Sequence, residues 1–75
     1  MTGKVFQIIS DIMDWPLSKI NEDSSPDTIS TWESLNHMKL VLALEEEFGI
    51  QFTDKQIVEM VDMRTIFRVL EQSTK

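Results

Sequence analysis

Ser34 and His37 are the two residues of this chain whose types and spacing could do chemistry. Three positions apart on a helix, a hydroxyl and an imidazole share a side, and an adjacent base is what a serine needs to act as a nucleophile. The rest of a hydrolytic site is missing from the pattern. No third group is placed to orient the imidazole, and no glycine-rich turn supplies an oxyanion site. His37 also leans toward apolar positions of its helix, where a partly buried histidine with a backbone partner is the expected role. Without a base, Ser34 has two uses left. It can cap or begin a helix, or it can be a point of attachment, where a phosphodiester meets free backbone N–H groups and the positive end of the helix dipole. Local sequence alone favours the first use, and the wider pattern has to decide.

The totals narrow the choice. Seventy-five residues make one domain, 1–75, with a single core hiding about 60% of the extended chain's surface. Two Gly, two Pro and 41% hydrophobic residues fit a helical protein rather than a disordered tail. A chain this short has no room for a two-lobed cleft, so binding or carrying is expected and no catalytic residue is assigned. A net charge of −6 and a pI near 4.5 repel a phosphate backbone, so no nucleic acid is expected as partner. The same charge steers basic protein patches toward the chain. With no cysteine, the chain has no disulfide, no thiolate metal site and no thiol of its own; no metal is expected. Residues 1–13 lack the features of a signal peptide, and the longest apolar run, Leu40 to Leu44, is too short to span a membrane. A cytoplasmic monomer is expected.

The elements that must position Ser34 follow from periodicity and punctuation. Val5, Ile8, Ile9 and Ile12, with Phe6 and Met13, predict a first helix over 3–14. Asp14-Trp15-Pro16 ends it. From Trp15 to about Thr31 there is no period, but Pro16, Pro26 and Asn21-Glu22-Asp23-Ser24-Ser25 are loop signals. Trp15, Leu17, Ile20 and Ile29 predict an ordered loop pinned to the core. The second helix runs from about Glu33 or Ser34 to Phe48. Ser30 and Glu33 have capping-box spacing, which allows an earlier start, and Gly49 with Ile50 supplies the stop. Thr53-Asp54-Lys55-Gln56 opens a short helix carrying Ile57, Val58 and Val61. Asp62 caps a last helix with Met63, Ile66, Phe67, Val69 and Leu70 on its inner faces, fraying over Gln72 to Lys75. The expected fold is an all-α four-helix bundle.

At about 100° per residue from Ser34, Leu40, Val41, Leu44 and Phe48 form one stripe, with His37 among them. That stripe is the core face. Leu35, Met38 and Leu42 form a second, beside Ser34 and Glu45, with Glu46 at its edge. Leu35 either packs under the long loop or joins the others; Met38 and Leu42 are expected to be partly exposed. An apolar patch rimmed by acid marks a contact surface, and a flexible Met suits several partners.

Trp32-Glu33-Ser34-Leu35, followed by Met38, Leu40, Val41 and Ala43-Leu44-Glu45-Glu46-Glu47-Phe48-Gly49-Ile50, resembles the acyl carrier protein family. That family has Asp-Ser-Leu at the head of its second helix and the same glutamate-rich Phe-Gly-Ile ending. The likeness covers the chain: long helix, long ordered loop, second helix, short third, fourth. The resemblance implies that Ser34 carries 4′-phosphopantetheine, added from coenzyme A by a phosphopantetheinyl transferase. The arm would supply the absent thiol and carry acyl or aminoacyl groups as thioesters between enzymes that load and transfer them. Glu33, Leu35, Met38, Leu42, Glu45 and Glu46 match positions where the family meets basic patches on partners. Two positions depart from the pattern. Glu33 replaces the usual Asp, and Lys39 stands where fatty-acid carriers usually have an acid. The run from Trp32 to Met38 looks more like stand-alone carriers of specialised pathways, such as polysaccharide or secondary-metabolite clusters. The alternative expectation is a carrier-like adaptor that is never modified and binds partners through its acidic second helix.

Overall fold

In the computed structural model, which describes residues 2–73, four helices pack around one cluster of buried side chains. The first, α1, is Thr2–Met13, one residue earlier at each end than periodicity suggests. Asp14 stops it by taking a left-handed conformation, φ 51°, which a short polar side chain tolerates better than most. The last carbonyls do not go unused. Ser10 accepts the Trp15 N–H at 3.1 Å, and the Thr31 hydroxyl donates to Met13 O at 2.6 Å, so the far end of the loop returns to close the helix that began it.

The loop is ordered by its own polar groups. Asn21 and Ser24 bond each other's backbones, as do Ser25 and Thr28. Ser24, buried at 3% exposure, also accepts the Met63 N–H at 3.0 Å through its carbonyl, which ties the loop to the last helix. Ile20, Ile29 and Trp32 are buried, and Trp15 packs partly buried against the core cluster. Leu17 departs from expectation, at 46% exposure. It opens a 3₁₀ turn, Leu17–Lys19, in which no residue is buried, and only Ile20, on leaving the turn, reaches the core.

The second helix, α2, is Ser34–Phe48. Its cap is Glu33, not Ser30. Backbone bonds from Trp32 N–H to Ile29 O and Glu33 N–H to Thr31 O bend the chain between them, leaving Ser30 exposed before the helix starts. At the other end Gly49 is left-handed, φ 62°, and both Gly49 and Ile50 donate to Glu45 O, the glycine-terminated stop. Leu40, Val41 and Leu44 are buried; truncating such a leucine to Ala costs about 2–5 kcal/mol.

The short α3, Asp54–Glu59, has both bonds of the Thr53–Gln56 capping box. It ends before Val61, and none of its six residues is fully buried. Met60, just past its end, is the side chain that enters the core. The last helix, α4, is Met63–Ser73, with Met63, Ile66, Val69 and Leu70 buried. Phe67 is half-buried and meets Phe6 of α1 edge to face, centroids 5.6 Å apart. Asp62 caps α4 by accepting the Thr65 N–H at 2.9 Å and the Thr65 hydroxyl at 2.8 Å. These two bonds, opposed by partial burial and aided by Arg64 and Arg68, hold its carboxyl below the ordinary range. Gln72 and Ser73 belong to α4, while Thr74 and Lys75, expected to fray, lie outside the described residues.

Candidate functional site

The head of α2 is built by side chains that fasten it to the loop. The Asn36 amide donates to Thr31 O at 2.8 Å, and Thr31 in turn holds the end of α1. The Glu33 carboxylate reaches forward to accept the Asn36 N–H at 2.9 Å and, more loosely, the Leu35 N–H at 3.4 Å. These are two of the orphan donors that every helix start presents. A phosphodiester on Ser34 would therefore meet them already taken, contrary to the expectation of free donors there. Ser34 itself is exposed, and its hydroxyl has no hydrogen-bond partner among the described residues.

His37 does not serve Ser34. The Trp32 indole N–H donates to His37 Nδ1 at 3.1 Å, and an indole can only donate. Nδ1 is thus the acceptor and Nε2 carries the proton, which points at Ile57 O, 3.3 Å away. Trp32 and His37 also stack, 20° from parallel with centroids 6.4 Å apart. Both imidazole nitrogens are engaged, so the ring joins the loop and α2 to α3 rather than acting as a base.

The two rings form one wall of an open groove of about 420 Å³. Ser34 and Glu33 lie at its α2 edge, and Ile57, Val58, Met60 and Val61 line the other side. Its size falls within the range of small-molecule clefts, and its lining is mostly apolar side chains.

The second stripe of α2 is open to solvent: Leu35 is 63% exposed, Met38 45% and Leu42 60%. Across the groove Val58 is 75% exposed and Val61 56%. Among the described residues, five of the six exposed large apolar side chains, all but Leu17, thus lie on α2 or along the groove that Ser34 borders. Sequence periodicity missed Val58 and Val61 as surface residues. A six-residue helix is too short to show two stripes, although Ile57 and Met60 lie one position behind them at the same spacing.

The glutamates at the end of α2 have separate fates. Glu45 is half-buried, and its Oε2 accepts the Phe52 N–H at 2.8 Å. Glu47 pairs with Lys4 of α1 at 3.2 Å. Glu46 is exposed. Ser34, Leu35, Met38, Leu42 and Glu46 therefore share one accessible side of α2, with Glu33 exposed at its head, while the Glu45 carboxylate turns toward the α2–α3 connection. No protein-family model matches this chain, and no curated protein matches it.

Proposed function

We propose that this chain is an acyl carrier protein: Ser34 bears a 4′-phosphopantetheine arm, and acyl or aminoacyl intermediates ride on it as thioesters in a specialised biosynthetic pathway. The observation that carries the reading is Ser34 itself. An exposed hydroxyl without a partner among the described residues, on the first turn of α2, borders an apolar groove near exposed apolar side chains. Those residues fit the group. The hydroxyl is accessible to a transferase, Ile57, Val58 and Val61 give the arm an apolar surface to lie on, and Glu33 keeps the helix start in place. The arm supplies the thiol that a cysteine-free chain lacks. The remaining role of the chain is to present that arm to loading and transferring enzymes, as a soluble carrier with the family's four-helix arrangement.

Incubation with coenzyme A and a broad-specificity phosphopantetheinyl transferase, followed by intact-mass spectrometry, tests the reading. The expected result is a gain of one arm, absent in Ser34→Ala. A chain that gains no mass with any of several transferases is not a carrier. The second reading, an unmodified adaptor, then takes its place. It is favoured by the Glu33 carboxylate lying over the Leu35 and Asn36 N–H groups, and by an exposed stripe of Leu35, Met38 and Leu42 that needs no arm to bind.

A further inference from the structure

We propose that the outward ridge of α2 docks a protein partner that presents a carboxylate and a cation together, rather than a uniformly basic patch. By composition α2 is an acidic helix, since with its cap it carries Glu33, Glu45, Glu46 and Glu47 against a single Lys39. The structure sorts those side chains by whether they already have a partner. Glu33 is held by the helix cap, Glu45 by the Phe52 N–H and Glu47 by Lys4; Glu33 and Glu45 keep their charge, but none of the three side chains is free to turn to a partner. Lys39 and Glu46 remain, both exposed and neither with an ion-pair or hydrogen-bond partner among the described residues.

These two lie seven residues apart, which is about 10 Å along the helix and about 20° around it. They share one ridge. Between them stands Leu42, with Met38 and Leu35 continuing the apolar strip toward Ser34, all exposed. The free surface therefore reads as a cation, an apolar strip and an anion. A uniformly basic partner would set one of its cations against Lys39, and like charges facing each other across an interface select against that partner. The complement is a carboxylate opposite Lys39, a cation opposite Glu46 and apolar side chains covering Leu42. The inference rests on the carrier reading only in taking the Ser34 face as the one that partners meet.

The test uses the full unmodified chain and three synthetic amphipathic helical peptides with the same apolar face. At two positions seven residues apart they carry Glu with Lys, two Lys, or two Glu. Dissociation constants are read by fluorescence anisotropy near physiological salt, where long-range attraction is damped beyond about 8 Å. Wild type is expected to prefer the mixed peptide over the two-Lys peptide. In Lys39→Glu the ratio of those constants should shift about fivefold toward two-Lys, the size of change that one or two exposed charge pairs produce. The double swap Lys39→Glu with Glu46→Lys should restore the preference for the mixed peptide. A wild-type preference for two-Lys, a ratio unmoved by Lys39→Glu, or no binding of any peptide at millimolar concentration overturns the proposal. None of these readouts involves Ser34. A chain that shows the switch but accepts no arm refutes the carrier reading alone; a loaded chain without the switch refutes only the docking surface.

Discussion

Replacing Glu45 separates a structural carboxylate from its exposed neighbour Glu46. Oε2 of Glu45 accepts the N–H of Phe52, a residue buried to 6% exposure, at 2.8 Å. A hydrogen bond to a charged group contributes roughly 1.5–3 kcal/mol, and a buried N–H left without an acceptor costs a comparable amount. Glu45 is only half-buried, and water can reach part of the vacated space, so Glu45→Ala should cost about 2 kcal/mol. A domain of this size has about 4–11 kcal/mol of stability in all, and each kcal/mol moves Tm by about 4–8 °C. A fall of about 10 °C is therefore expected. Glu45→Gln keeps an acceptor oxygen and should lose less than half of that. Glu46→Ala, on the exposed ridge, should stay within about 0.5 kcal/mol of wild type. Thermal and urea unfolding followed by far-UV circular dichroism measures all three, with hydrogen exchange at the Phe52 amide as a local readout. Equal Tm values for Glu45→Ala and Glu46→Ala would refute the assignment. If the assignment holds, a charge reversal at Glu45 loosens the fold as well as any interface, and partner binding is better tested through Glu46 alone.

Gly49→Ala places a Cβ at φ 62° where no atom beyond its own and the adjoining residues lies within 4 Å, so its cost is conformational alone, about 1 kcal/mol; a Tm unchanged to within a degree would contradict the left-handed stop. Asp62→Ala should remove about 1 kcal/mol of cap stabilisation at neutral pH. Because the folded carboxyl lies below its ordinary value of 3.8, that contribution is complete above pH 3.8 and is lost as pH falls through the folded value. The gap between wild-type and variant urea midpoints should thus narrow in acid, and a gap that widens there counts against the cap. His37→Ala removes both the acceptor for Trp32 and the donor to Ile57. It should speed hydrogen exchange in α3 by tenfold or more while leaving α1 and α4 slow, and uniform acceleration along the chain would show that the ring does not act locally.

Much of the fold is written in local chemistry. Gly49, the Thr53–Gln56 box and the Asp62 cap each act within a few residues, so spacing alone reveals them. The two stripes of α2 are legible for the same reason, since fifteen residues cover four turns and angle arithmetic separates Leu40 and Leu44 from Leu35, Met38 and Leu42. What spacing does not reveal depends on distant partners. Glu45 differs from Glu46 only because the Phe52 N–H arrives beside it after the chain has turned at Gly49. Ser30 and Glu33 fit a capping box, but Thr31 is drawn back to Met13 and the bend that results gives the cap to Glu33. Leu17 and Val58 are apolar by type and exposed by position, which no short window can distinguish.

The two polar ties from α2 to the segment after Gly49, at His37 and Glu45, have a consequence for what the groove can hold. Six residues of helix with no fully buried side chain form a unit that opens at less free energy than the whole domain. Where that unit opens by itself, the groove's capacity would be a thermal average over shut and open forms. A guest larger than about 420 Å³ would then be admitted at the cost of releasing those ties instead of being refused outright. Discrimination by size becomes a slope, and the strength of two hydrogen bonds sets its steepness.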